Sequence, residues 1–457
     1  MAKSPARAVD SMTALRAIPS VERILSGDAL AALTAEYGRH AVKDAVVGHL
    51  ATLRASRSGY VEQEAVDAVA HLLAASTHPT LLRVINTSGV IIHTNLGRAP
   101  LDAPLWQQAG TVVSGYSNLE FDLVSGERGS RHDHLGNICR TLFGCEAALL
   151  TNNNAAGTML VLAALAAGKE VIVSRGELVE IGGGFRVPEV ISQGGAKLRE
   201  VGTTNRTRAR DYAEAISRRT AALLRVHRSN FDLVGFTETP SISELVDVAR
   251  SRNVPLIYDE GSGRVVDLQR YGFTHESSLA DLMVAGVDLV NCSTDKLMGS
   301  VQGGLILGRG DLIERCRIHP LMRAVRAGKE SYAIVAATLR AFAAGKHETQ
   351  IPIYRMLATT RAELEKRGTE LIQGTGCRLT ESRCALGGGT TPAESVESLA
   401  IEVPGDPQVA ERKFRENDPP IIGRIQNDRY TLELRTLMND DLPAVREALV
   451  SLMSGTA

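Results

Sequence analysis

Along the first 80 residues, apolar positions recur every three or four places. Val21–Leu33 and Val61–Ala75 carry this spacing and predict helices, with Arg57-Ser58-Gly59 as a break between helical stretches. From about residue 81 to 340 the pattern changes. Short apolar runs alternate with polar turns and amphipathic segments, which is the signature of strands joined by helices. The predicted strands are Ala148–Thr151, Glu170–Ser174, Lys197–Val201, Ala222–His227, Val254–Asp259, Asp288–Ser293 and Gly304–Leu307. The predicted helices between them include Ala155–Ala167, Asp211–Arg218 and Ser241–Ser251. Such alternation predicts a largely parallel sheet, whose ligands gather near the carboxyl ends of the strands. The remainder, 341–457, opens on one long helical pattern, Ile351–Ile372, and continues through a Gly-rich loop at Gly387–Gly389. A hairpin follows, with Ile421–Ile425 and Tyr430–Arg435 flanking Gln426-Asn427-Asp428-Arg429, and then a final helix from Asp441 to Met453. This end of the chain reads as a small α+β domain.

Composition narrows the class without naming it. The chain has 457 residues, 44% hydrophobic and 23% charged, which is ordinary for a globular protein of two or three domains. Glycine is plentiful and aromatics are few, as expected of an α/β core. Net charge is −1, so no overall basic excess advertises nucleic acid. Seven arginines between Arg206 and Arg228 face only Asp211 and Glu214 and form one local basic candidate, although a solvated helix face is the favoured account of them on composition. The first 80 residues balance eight basic against eight acidic groups. Six cysteines include no CxxC pair and no companion histidines, so zinc and disulfide frameworks are not expected. The N-terminus lacks an apolar signal core, and the longest apolar run, Thr158–Gly168, falls far short of the ~20 residues of a membrane span. A cytoplasmic protein is the expectation.

Four segments carry chemistry. In Asn291-Cys-Ser-Thr-Asp-Lys296-Leu-Met-Gly299 an apolar strand delivers a lysine into a turn of small residues. Desolvation there lowers an amine's pKa and makes it nucleophilic, which suits condensation with an aldehyde cofactor. Ser293 and Thr294 can donate to a phosphate nearby. Val254-Pro-Leu-Ile-Tyr-Asp259-Glu-Gly-Ser-Gly263 puts a carboxylate at a strand end, one strand–helix–strand unit before Lys296. Pyridoxal phosphate requires a carboxylate against its ring nitrogen, and the pairing with Lys296 favours that role over a helix cap. Thr151-Asn152-Asn153-Asn154-Ala155 reads as a strand, a polar turn and a helix start, where free amides of Asn153, Asn154 and Ala155 can hold the cofactor phosphate, unless the asparagines merely cap the helix. Finally, Arg98 follows Gly97 in a loop where a guanidinium can grip an oxyanion, and Arg323 and Arg326 stand three apart, on one face if helical.

These segments resemble bacterial selenocysteine synthases, the L-seryl-tRNA(Sec) selenium transferases, over nearly the whole chain. The most specific stretches are Ile85-Asn-Thr-Ser-Gly-Val, His93-Thr-Asn-Leu-Gly-Arg98, Tyr116-Ser-Asn-Leu-Glu-Phe-Asp, Gly129-Ser-Arg, Glu200-Val-Gly-Thr-Thr-Asn-Arg-Thr, Ser229-Asn-Phe and Asp418-Pro-Pro-Ile-Ile-Gly-Arg424. The resemblance implies an aspartate-aminotransferase-like α/β fold (fold type I), divided into a helical tRNA-contacting domain at 1–80, a large domain binding pyridoxal 5′-phosphate at 81–340, and a small α+β domain at 341–457. It implies Lys296 as the amine that bonds the cofactor and Asp259 at its ring nitrogen. It further implies Arg98, Arg323 and Arg326 as ligands of selenophosphate, a seryl-tRNA(Sec) substrate, and a homo-oligomer built as a ring of dimers. The chain departs from the family at Ser300-Val301, where Gly-Pro is usual, and at Ala327-Gly328, where Val-Asp is usual. A related pyridoxal-phosphate lyase or sulfur- or selenium-group enzyme acting on a free small molecule would use the same lysine. A non-catalytic RNA-binding scaffold would have no need of it.

Overall fold

The computed structural model describes residues 17–77, 79–182, 184–391 and 394–454. They fall into two compact units, one ending at Arg83 and the other beginning at Val84. The stretch Leu15-Arg-Ala-Ile-Pro-Ser-Val, which also resembles the family, opens on Leu15 and Arg16, which lie outside the described residues.

The first unit is helical. Arg39–Ser56 buries Val42, Val46 and Leu50, one residue per turn on one face. Glu62–Thr77 buries Ala65, Val69 and Leu73 at the same interval. Ile24, Leu25 and Leu30 complete this core. Arg57, in the left-handed conformation, ends the longer helix where the break was expected. Val21–Leu33 is not one helix: Gly27 interrupts it, leaving Val21–Leu25 and Ala31–Tyr37 with a single 3-10 turn between them.

The second unit is built on a seven-stranded sheet. Its order is Ala147–Thr151, Gly304–Gly308, Leu289–Ser293, Leu256–Gly261, Thr220–Val226, Glu170–Ser174 and Lys197–Val201. All strands are parallel except Gly304–Gly308, which is antiparallel to both neighbours. Each expected strand is present, displaced by no more than two residues at either end. The helix Asn154–Ala166 is apolar on nearly every face because it packs under this sheet, and Leu160, Val161, Leu162, Leu165 and Ala166 are buried.

A five-stranded sheet forms from Arg424–Gln426, Arg429–Glu433, Ser395–Val403, Arg378–Gly387 and Val90–Ile92, in that order. The hairpin Arg424–Gln426/Arg429–Glu433 turns on Asn427 and Asp428, both with positive φ, as a tight two-residue turn requires. Ile421–Ile422 leaves the hairpin and pairs with Ile85–Asn86 instead. The long helix expected over Ile351–Ile372 is two helices, Pro352–Ala358 and Arg361–Ile372. Thr360 and Glu363 form a capping box that starts the second one afresh.

The arginines between Arg206 and Arg228 do not form a free basic patch. Arg206 and Arg208 face Glu238, Arg219 pairs with Glu170, and Arg225 is paired with the buried Glu177. The cysteines are all free, and no cluster that could hold a metal occurs among the described residues. No helix among the described residues is long and apolar enough to cross a membrane.

Candidate active site

Two adjacent parallel strands set the floor of a cavity of about 300 Å³. Leu256–Gly261 carries Asp259, and Leu289–Ser293 carries Asn291 directly beside it in register. The strands also carry the buried Glu260 and Ser293, and Asp259 and Asn291 themselves are buried, at 6% and 0% exposure. Asn154, in the first turn of Asn154–Ala166, donates from Nδ2 to Asp259 Oδ1 at 2.8 Å. Asn291 Nδ2 reaches the same oxygen at 3.1 Å and Thr158 Oγ1 at 2.8 Å. Thr158 Oγ1 lies 3.3 Å from Asp259 Oδ2. Burial drives the Asp259 pKa up, against the pull of the Asn154 hydrogen bond and the Lys296 charge.

Lys296 follows in the turn after Leu289–Ser293 and lines the same cavity as Asp259. It is only 8% exposed, so its amine is kept from bulk water. Nζ donates to the Gly389 carbonyl at 3.4 Å. Burial, joined by the charge of Arg98, pushes the lysine pKa down, while Asp295, Glu260 and Asp259 pull the other way. The chain at Gly389 has φ +81°, and a Cβ there would come within 2.4 Å of Nζ. Gly263 is held as tightly: its Cβ would meet the Ser293 carbonyl at 2.2 Å. Glycine at these two positions lets two loops close over the lysine turn.

The helix start divides the roles of its asparagines. Asn153 is the N-cap and accepts from the Ala156 amide at 2.8 Å, which is plain capping. Asn154 aims its side chain at the carboxylate, while the amides of Asn154 and Ala155 point out of the helix start without an intrahelical acceptor. Asn153, Asn154, Ala155, Ser293, Asp259, Lys296 and Arg98 all line the cavity. Thr294 does not serve as expected: it is fully buried and donates to the Val301 carbonyl at 2.5 Å. Arg98 pairs with Asp295 at 2.6 Å, which ties it to the residue before Lys296.

Arg323 and Arg326 do not line this cavity. Arg323 is exposed on the short helix Leu321–Val325. Arg326 lies just past it in extended conformation, 3.7 Å from Glu120, so the two do not share a helix face. Sequence reasoning missed Asn291, Thr158 and Gly389 as parts of the site. A buried asparagine within an otherwise apolar strand was the available signal for the first. The departures from the family pattern are accommodated locally. Ser300 accepts a hydrogen bond from Thr338 at 3.0 Å, and the Ala327 carbonyl accepts one from Arg131 at 2.7 Å.

Residues 84–438 match the family model described as L-seryl-tRNA selenium transferase, and residues 15–54 match the one described as selenocysteine synthase N terminal. The first match begins where the second compact unit begins. The L-seryl-tRNA(Sec) selenium transferase of Geobacter sulfurreducens is 44% identical, over 97% of this chain and 100% of its own. That of Hyphomonas neptunium is 42% identical, over 95% and 98%. Among solved structures, D-glucosaminate-6-phosphate ammonia-lyase superimposes with a TM-score of 0.60 at 22% identity, covering 82% of this chain and 96% of that one, and so shares the fold.

Proposed function

The chain belongs to the L-seryl-tRNA selenium transferase family, and from that premise we propose that it converts L-seryl-tRNA(Sec) to L-selenocysteinyl-tRNA(Sec) with selenophosphate, using pyridoxal 5′-phosphate. The observation that carries this reading is the dry pair of Asp259 and Lys296 facing one cavity.

The residues fit the cofactor. Asp259 is a buried carboxylate held by Asn154, Asn291 and Thr158, and a protonated ring nitrogen supplies the positive partner it needs. Lys296, with its lowered pKa, is an amine ready to bond an aldehyde. The first-turn amides of Asn154 and Ala155, with the Ser293 hydroxyl, suit a phosphate. When bound, pyridoxal phosphate supplies an electron sink that acidifies the seryl α-proton. Lys296 then takes that proton as general base. Asp259 holds its proton partner in place through both steps, because three side chains fix its orientation. Arg98, Arg323 and Arg326 bind selenophosphate through charge-assisted hydrogen bonds. The helical first unit helps hold the tRNA, the protein works as a homo-oligomeric ring of dimers, and a tRNA-borne substrate puts the reaction in the cytoplasm.

Mass analysis of the aminoacyl group tests this. Seryl-tRNA(Sec) and selenophosphate yield a selenocysteinyl group only if the reading holds. Free serine converted equally well, with the tRNA ester untouched, would replace it with a small-molecule lyase.

A further inference from the structure

The stretch Ser229-Asn-Phe, among the most family-specific in the sequence, has no part in the mechanism above. It lies on a boundary. Ser229 lines the cavity of Lys296, and Phe231 lines a neighbouring cavity of about 440 Å³. Between them Asn230 donates from Nδ2 to the Glu180 carbonyl at 2.7 Å, and the Ser229 amide donates to the His227 carbonyl at 3.0 Å. The turn that links the two spaces is therefore pinned. Val226 and His227 belong to both walls. Phe231 packs against the core and stays partly exposed. Pro240 and Ile242 stand with it on the wall of the second cavity, beside the hydroxyls of Ser241 and Ser277 and the carboxylates of Asp232 and Glu276. The buried Arg264 is ion-paired with Glu276 Oε2, and 40% of the Glu276 side chain remains open.

A seryl group carried on tRNA brings its own constraint. Its carboxyl is esterified to a ribose, so the terminal nucleoside begins at the ester oxygen, next to the carbonyl carbon. The cavity of Lys296, about 300 Å³, is at the lower end of the range for a single small ligand, and it has both the cofactor and the seryl group to hold. The nucleoside needs adjoining space. The second cavity offers it, with a flat ring on which a base can stack and with carboxylates and hydroxyls for the ribose. We infer that this cavity takes the terminal adenosine of the aminoacyl-tRNA, its base stacked on Phe231 and its free ribose hydroxyl donating to Glu276. The inference rests on the proposed function and adds the place where the end of the tRNA is held.

The test is calorimetric binding to the holoenzyme of 3′-(L-serylamino)-3′-deoxyadenosine, whose amide resists hydrolysis, and of its counterpart without the base. In the wild type the base tightens binding about tenfold or more. Phe231→Leu keeps apolar packing against the core and loses the ring, so the advantage of the base falls to about twofold or less, and Phe231→Trp restores it. Ser277→Trp, at an exposed position on the same wall, fills the cavity instead and gives the same loss should the leucine variant fail to fold. A wild-type protein indifferent to the base, or an advantage that survives in Phe231→Leu and Ser277→Trp, overturns the assignment. Glu276→Gln weakens the analogue about tenfold and its 2′-deoxy form less than about twofold, and equal losses remove Glu276 from the site. A protein that turns over seryl-tRNA(Sec) yet ignores the base keeps its function and loses only this subsite. One that takes up no pyridoxal phosphate, or converts free serine as readily as seryl-tRNA, loses the underlying function instead.

Discussion

The floor of the cavity and the arginines assigned to the selenium donor are built on opposite principles. On the floor, Asp259, Asn154, Asn291 and Thr158 are tied together by hydrogen bonds within a single buried surface, and Lys296 is pressed against Gly389. Their properties follow from burial, which shifts both ionisable groups toward their neutral forms. Arg323 is exposed and Arg326 is 32% exposed beside Glu120. Solvent screens such charges. Arg98 belongs partly to each region, because its guanidinium grips Asp295 next to the lysine while 37% of the side chain stays open. The difference teaches which losses should be all-or-none and which graded.

The sharpest break of the floor is Lys296→Ala. It removes both the amine that bonds the cofactor and the base, so kcat should fall by at least about 10³–10⁴-fold, with the visible absorbance of the holoenzyme gone. A variant that keeps that absorbance and makes product would erase the distinction altogether. Gly389→Ala should come next. The new methyl needs the space that Nζ occupies, at a backbone φ of +81°. A misplacement of the amine by about 1 Å should cost up to about a hundredfold in kcat, while stability falls by only about 1 kcal/mol. Kinetics and thermal unfolding of the same sample separate the two effects. Equal losses in both would mean that the loop is merely structural.

Much of the floor was legible because its signals are local. An apolar strand ending in Asp259, another ending in the lysine turn, and an Asn-rich helix start each declare themselves within ten residues. Gly389 was not legible as a site residue, since its contact with Lys296 spans 93 positions of chain. The small sheet was partly hidden for a related reason. Arg378–Gly387 and Ser395–Val403 mix Ser, Thr, Glu and Arg with their apolar positions, and Val90–Ile92 joins them from nearly three hundred residues away. The Arg206–Arg228 run failed as a basic patch because its partners, Glu170, Glu177 and Glu238, are distant in sequence or on other strands. Charge counts along a chain do not see such pairing.

The arginines should respond more mildly. Arg323→Ala should leave the cofactor's absorbance and affinity alone and raise the KM for selenophosphate about tenfold, the loss of one charge-assisted hydrogen bond. Arg98→Ala should show both kinds of effect. The donor KM rises, and the lysine pKa rises too, since the Arg98 charge helps depress it. The pH dependence of the rate at which the cofactor-free protein bonds added pyridoxal phosphate reads that second change. No shift in Arg98→Ala would confine this residue to the donor side of the comparison.

The smallest effect concerns stability, and its sign is opposite to that on activity. Burial raises the Asp259 pKa above its ordinary 3.8, so the cofactor-free native chain holds this proton to a higher pH than the unfolded chain does. The cost of burying the anion is therefore absent below the unfolded pKa and complete above the folded one. Asp259→Asn removes that cost while keeping an oxygen for Asn154 and Asn291 to bond. Urea midpoints of the cofactor-free proteins should then agree near pH 4 and diverge in favour of the variant as the pH rises to 8, even as its kcat collapses for want of an anion opposite the ring nitrogen. A variant less stable than wild type at pH 8 would mean that the carboxylate is a net stabilising part of the floor. The contrast with the exposed arginines would then rest on geometry alone and not on stored electrostatic cost.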